Sequence, residues 1–171
     1  MTRKGVWNLQ QVRDKYLQEL WVNTNELMIW GTNASGALGQ NAPEDAKQSS
    51  PIQVPGTTWA DINPNGKATH YNDNSTYMRK TDGTLWAWGE NHKGQLGNNQ
   101  AGHPTSKSSP IQIGSDTNWA YVTGGNNSAM AIKTDGTGWA WGSQEDYGNL
   151  GLNNRTNYSS PVQIPGTWSR L

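Results

Sequence analysis

Three stretches of this chain follow one pattern: LMIWGTNASGALGQN from Leu27, LWAWGENHKGQLGNN from Leu85 and GWAWGSQEDYGNLGLNN from Gly138. Each leads into a serine-proline-apolar-glutamine stretch, SSPIQVPG from Ser49, SSPIQIG from Ser108 and SSPVQIPG from Ser159. A tryptophan then follows, at Trp59, Trp119 and Trp168. The spacing from Trp30 to Trp88 is 58 residues and from Trp88 to Trp141 it is 53. Self-similarity at such a period restricts the chain to repeat architectures, with solenoids and propellers foremost.

The third repeat reads as four short strands. WAYVTGG from Trp119 alternates and ends in glycines, SAMAIK from Ser128 is an apolar run of strand length, and GWAWG from Gly138 is its return. Thr134-Asp135-Gly136-Thr137 lies between the last two, and Asp-Gly is the strongest short hairpin signal. Trp139 and Trp141 are two apart and share a face, with Ala140 on the other. Residues 143–160 read as loop, and PVQI from Pro161 as a short outer strand, where proline suits an edge or a first position. Four strands per repeat make a propeller blade. The second repeat reads alike, with Thr81-Asp82-Gly83-Thr84 as its hairpin turn. In the first, Val22 aligns with Lys133, Asn23-Thr24-Asn25-Glu26 replaces the turn, and Trp7 aligns with Trp119. Val12, Tyr16, Leu17 and Leu20 also have helical spacing, so residues 8–20 read equally as helix or strand. The predicted architecture is all-β: three blades of short antiparallel strands, a partial propeller with a short N-terminal helix as the open alternative. The expected divisions are 1–21, an attachment segment able to supply inner strands of the first blade; 22–58, 59–118 and 119–167, the three repeats; and 168–171, the start of a further strand.

Composition decides whether such a chain can fold. The apolar fraction is 32% and the mean hydropathy −0.87, values that suit disorder when joined to high net charge. Net charge here is zero, and 10 Trp recur largely at repeat positions. Each buries roughly 150–250 Å², so tryptophan takes over the work of aliphatics. The predicted repeat core is Trp30, Leu38, Trp59, Trp88, Leu96, Trp119, Trp141 and Leu150, with Trp86 and Trp139 beside them. The Leu lies between the glycines of a Gly-x-Leu-Gly stretch, where tight turns or close backbone approach are expected. No Lys-Ser/Thr follows, so this is no phosphate loop.

Balanced charge leaves no electrostatic footprint for nucleic acid. No apolar run approaches the roughly 18 residues of a membrane span, and MTRKGVWNLQQ lacks the apolar segment of a secretory signal. The absence of Cys excludes disulfides and thiolate metal sites. His70, His92 and His103 have no metal-ligand spacing and are expected to be solvated loop residues. Asn72-Asp73-Asn74 lacks the glycine and glutamate of a calcium loop. The carboxylates, Asp82 and Asp135 included, fall mostly in turns, and none marks a catalytic pair. The expectation is no catalytic residue, no cofactor, no metal and no enzyme.

DGTLWAWGENHKGQLGNN, with SSPIQI and Trp119 after it, resembles the regulator-of-chromosome-condensation propeller repeat, in three copies over residues 7–168. The resemblance implies a seven-bladed propeller, a scaffold for interactions or, in the best-known member, an exchanger of nucleotide on a small GTPase that binds chromatin. No exchange-specific residues and no basic chromatin-binding tail can be matched here. Three repeats fall short of the four to eight blades of a closed propeller, so raw ends are expected to associate. Two copies would give six blades and three would give nine; docking on a different protein is the other route.

KGVWNLQQVRDKYLQELW from Lys4 resembles the opening of tail, fibre and other appendage proteins of marine tailed bacteriophages. That implies a virion structural protein, made in the host cytoplasm, whose partners are its own copies or other virion proteins. Trp7, Leu9, Val12, Leu17, Trp21, Trp168 and Leu171 are the predicted interface residues, since Trp is enriched at interfaces. A carbohydrate-binding module for host surface glycans is the first alternative, with contacts from loops 91–107 or 143–158, and a GTPase-regulating propeller is the second. Nucleic acid and membrane insertion are not expected.

Overall fold

A computed structural model describes residues 26–43, 46–60, 74–125, 127–144 and 148–169. Residues 8–20, and Trp7, Leu9, Val12, Leu17, Trp21 and Leu171 among the interface residues, lie outside them, as do His70 and Asp73. The described chain forms nine strands in three antiparallel sheets. Strands β1 (Met28–Thr32) and β2 (Lys47–Gln53) make the first sheet. Strands β3 (Ser75–Arg79), β4 (Leu85–Gly89) and β5 (Lys107–Gln112) make the second. Strands β6 (Trp119–Gly125), β7 (Ser128–Lys133), β8 (Thr137–Gly142) and β9 (Tyr158–Thr167) make the third. Among the described residues the only helical turn is a 3-10 piece, Ala34–Gly36. The fold is that of partial β-propeller blades. A bridge between Trp59 and Lys80 marks where the second sheet gains its fourth chain segment.

The hairpins follow their turn chemistry. Arg79 pairs with Leu85 across Thr81-Asp82-Gly83, and Ile132 with Gly138 across Thr134-Asp135-Gly136. Gly83 and Gly136 have φ near +81° and +82°, which glycine adopts without a Cβ penalty. The outer strand is longer than its PVQI core: β9 runs ten residues because pairing with β8 begins at Tyr158 and reaches Thr167.

One irregularity recurs in all three sheets. The register shifts between Ile29 and Gly31, between Ala87 and Gly89, and between Ala140 and Gly142. These glycines have φ of +116°, +101° and +98°. The glycine of each Trp-Gly pair therefore makes a bulge that bends the chain out of the strand toward the Gly-x-Leu-Gly loop.

The apolar cores lie between sheets more than within them. One cluster joins Leu27 and Val54 of the first repeat to Trp59, Met78 and Trp88 of the second. Another joins Leu85, Leu96 and Ile113 to Trp119, Ala129, Ala131 and Trp141 of the third. The third repeat holds only a small cluster of its own, Ala140, Leu150 and Ile164, with no tryptophan in it.

Candidate protein-interaction surfaces

The seam between sheets is built by one tryptophan and one loop, used twice. Trp88 is fully buried, and its indole N–H donates to the Ala37 carbonyl of the preceding repeat at 2.8 Å. Trp141, equally buried, donates to the Gln95 carbonyl at 2.8 Å. The loop can receive an indole because its last glycine has no side chain. A Cβ on Gly39 would stand 2.9 Å from Nε1 of Trp88, and one on Gly97 2.8 Å from Nε1 of Trp141. The serines of the next outer strand close the seam. The N–H of Asn41 donates to the Ser108 carbonyl at 2.6 Å and that of Asn99 to the Ser159 carbonyl at 2.7 Å.

Each loop is held in shape by an amide side chain two residues past the bulge glycine. Asn33 accepts from the Leu38 N–H at 2.9 Å, Asn91 from Leu96 at 2.9 Å and Gln144 from Leu150 at 2.7 Å. All three amides are at most 1% exposed. Fixing a buried N–H in this way avoids the desolvation penalty of an unpaired donor. Sequence reasoning missed these residues, although a polar amide recurring two positions after Trp-Gly carries the signal. Loops 91–107 and 143–158, considered above for ligand contacts, thus use their buried amides to hold their own backbone.

The hairpin ends of the second and third blades carry a second repeated cluster. Thr84 Oγ1 accepts from the Trp86 indole at 2.8 Å and donates to Asp82 at 2.6 Å. Thr137 does the same between Trp139 and Asp135 at 3.0 and 2.7 Å. The Lys80 ammonium lies 4.1 Å from the Trp86 ring centre and 5.1 Å from that of Trp59. Lys133 lies 4.2 Å from Trp139 and 4.9 Å from Trp119. The lysine stem thereby covers apolar ring surface while its charge sits on two π-faces. Trp86 and Trp139 are accordingly half-buried beneath lysine rather than fully enclosed.

The hydroxyl of Thr84, then its N–H, holds Asp82 below the ordinary carboxylate range; for Asp135 the Thr137 N–H comes first and its hydroxyl second. A carboxylate with a lowered folded pKa stabilises fully above its unfolded value, near 3.8, and loses that contribution as pH falls through the folded value. Urea unfolding of the Asp82→Asn/Asp135→Asn double variant should therefore show a deficit against the parent that is constant from about pH 5 to 8 and shrinks below about pH 4. A deficit independent of pH down to about pH 3 would contradict the assignment.

The predicted core residues separate into two groups. Leu38, Trp59, Trp88, Leu96, Trp119, Trp141 and Leu150 are all at most 3% exposed. Trp30 is not in the core: it is 62% exposed. It occupies the position of Trp88 and Trp141, but no preceding loop covers it among the described residues. Trp168, in the predicted interface set, is 37% exposed. Its N–H donates to the Gly136 carbonyl at 2.8 Å, as that of Trp119 does to Gly83 at 3.1 Å. Met28, 45% exposed, completes the large apolar side chains left open to solvent among the described residues. All three belong to the first sheet or to the end of the third.

His92 departs from the solvated-loop expectation. Its ring stacks on His103 at 5.5 Å and 9°, and its Nδ1 meets the Glu90 carboxylate. Among the described residues no three His, Asp or Glu side chains are grouped to hold a metal.

Stacked antiparallel sheets with interdigitating tryptophans define this as an arc of a β-propeller. Residues 82–132 match the model of the regulator of chromosome condensation (RCC1) repeat. The chain is 38% identical over 87 residues to mouse Protein RCC2, covering 49% of this chain and 16% of that protein. It is 33% identical over 82 residues to the X-linked retinitis pigmentosa GTPase regulator homolog of Caenorhabditis elegans, covering 47% of this chain and 6% of that protein. The fold matches crystalline Prp20p of Saccharomyces cerevisiae, described together with its binding to Gsp1p and histones. The TM-score is 0.63 at 19% identity, over 85% of this chain and 35% of that one. The chain thus spans about a third or less of each of these proteins.

Proposed function

We propose that this chain is a protein-docking element with no chemistry of its own, and that among specific partners a GTPase is the best supported. The observation that carries the docking reading is the placement of exposed apolar bulk. The seams consume Trp88 and Trp141, while Met28, Trp30 and Trp168 remain open on the outer sheets. Exposed Trp at a sheet edge fits protein contact, where Trp anchors interfaces. Support for the GTPase reading comes from the relatives: one is named a GTPase regulator homolog, and the RCC1-type repeat is shared. The virion reading draws on residues 4–21, outside the described part, and the relatives described above lend it no support; nor do they support glycan binding.

A panel of purified small GTPases, GDP-loaded and nucleotide-free, presented to the full chain on a biosensor tests the GTPase reading. Saturable binding to at least one member is expected. Release of fluorescent GDP accelerated by about tenfold or more would make the chain an exchanger; binding with no acceleration would make it a scaffold. Absence of binding across the panel would remove GTPases as partners.

A further inference from the structure

Among the described residues, no neighbouring repeat enters the seam loop of the third repeat. Gly36, Gly94 and Gly148 are equivalent, as are Gly39, Gly97 and Gly151. A Cβ on Gly36 would stand 2.5 Å from Cα of Ser108, and one on Gly94 2.8 Å from Cα of Ser159, whereas at Gly148 nothing lies within 4 Å. A Cβ on Gly39 or Gly97 would strike a tryptophan, whereas at Gly151 the nearest contact is Ile164 at 3.8 Å. The loop is nevertheless shaped for the task. Gly148 and Gly151 have φ of +72° and +67°, against +82° and +65° for Gly36 and Gly39. Asn153, the counterpart of Asn41 and Asn99, has φ of +51°, against +52° and +61°. Gln144 holds the Leu150 N–H as Asn91 holds that of Leu96.

The opposite half of the seam stands open on the first sheet. Trp30 is the counterpart of Trp88 and Trp141, and Ser49 of Ser108 and Ser159. Trp30 is 62% exposed and Ser49 is exposed. One chain therefore presents both the wedge and the slot, formed by residues that already mate twice inside it.

We propose that the first sheet of one copy docks on the third sheet of a second copy. Trp30 enters the slot beside Gly151, its indole N–H donates to the Asn149 carbonyl, and the Ser49 backbone lies against Gly148 and accepts from the Asn153 N–H. The contact is head-to-tail, and such contacts close into a ring when the rotation allows. Two copies assemble six sheets, within the four-to-eight range of closed propellers. This deepens the docking reading by naming the occupant of one pair of surfaces. GTPase binding is a separate readout, so either can fail alone.

Sedimentation equilibrium of the full 171-residue chain tests it. The expected mass is twice 18.8 kDa at micromolar concentration. Trp30→Ala raises the dimer dissociation constant by about tenfold or more and leaves the circular dichroism of the monomer unchanged. Gly148→Asn does the same from the other side, since asparagine tolerates positive φ and its side chain fills the space that Ser49 needs. At concentrations between the parent's dissociation constant and theirs, each variant alone is mostly monomer; mixed, they regain a heterodimer through the one intact wedge and the one intact slot. A parent chain that stays monomeric, an oligomer that neither substitution weakens, or variants that fail to complement would each overturn the proposal.

Discussion

Trp141→Ala is expected to remove about 3–5 kcal/mol of folding stability, the range for deleting a buried tryptophan side chain. Trp88→Ala should act alike. The same substitution at Trp30 should change the stability of the monomer by less than about 0.5 kcal/mol. The three residues occupy one repeat position, so the contrast isolates the seam from the residue type. Trp141 is fully enclosed, meets Tyr77 and Trp119 edge-on at 6.3 and 6.4 Å, and donates to Gln95. Its loss opens a cavity between two sheets and strips one hydrogen bond from a buried carbonyl. Against a total stability of about 5–15 kcal/mol, this is a large fraction. Urea denaturation followed by circular dichroism at low protein concentration checks it. Equal effects at Trp30 and Trp141 would contradict the seam.

The second large effect lies at the bulge glycines. Gly89→Ala and Gly142→Ala are expected to destabilise more than Gly31→Ala by about 1–3 kcal/mol, the penalty of forcing extra volume against fixed backbone. All three positions have positive φ, so all carry the strain of a non-glycine residue there, about 1–3 kcal/mol. Only two also meet a wall. At Gly142 a Cβ would overlap the Asn127 carbonyl oxygen, which accepts the Ser143 N–H at 2.7 Å. At Gly89 the Asn74 carbonyl oxygen lies closer still, and it accepts the Glu90 N–H at 3.0 Å. The strand pair cannot part without losing that bond. At Gly31 nothing lies within 4 Å. The midpoints of the three variants, measured side by side, decide it.

Much of this fold can be read from the chain itself, because a repeat states its rules several times. The Asp-Gly turns, the strands on either side and the shared face of Trp139 and Trp141 follow from local chemistry that needs no partner. The role of Trp30 does not. Its motif matches that of Trp88, and pattern alone assigns both to a core. What separates them is whether a loop from a preceding repeat covers the ring, and that depends on contacts across some 50 residues, as between Trp88 and Ala37. Asn33, Asn91 and Gln144 were hidden for a different reason. Polar side chains before a loop suit solvent equally well, and only the folded loop shows their amides turned inward onto Leu38, Leu96 and Leu150. The stacking of His92 on His103 likewise arises from the return of loop 91–107 on itself, where the Gly102 N–H donates to the His92 carbonyl at 3.0 Å.

The wedge of one repeat under the glycine loop of the one before is the claim on which the rest stands. Hydrogen exchange at the tryptophan indoles, resolved by nuclear magnetic resonance on the Gly148→Asn monomer, measures it directly. The indole N–H groups of Trp88 and Trp141 should exchange only on unfolding, because each is buried and bonded to a backbone carbonyl of the preceding repeat, while that of Trp30 exchanges at the rate of open solvent. Trp88 and Trp141 indoles that exchange as fast as Trp30 would show that the sheets are not joined in this way.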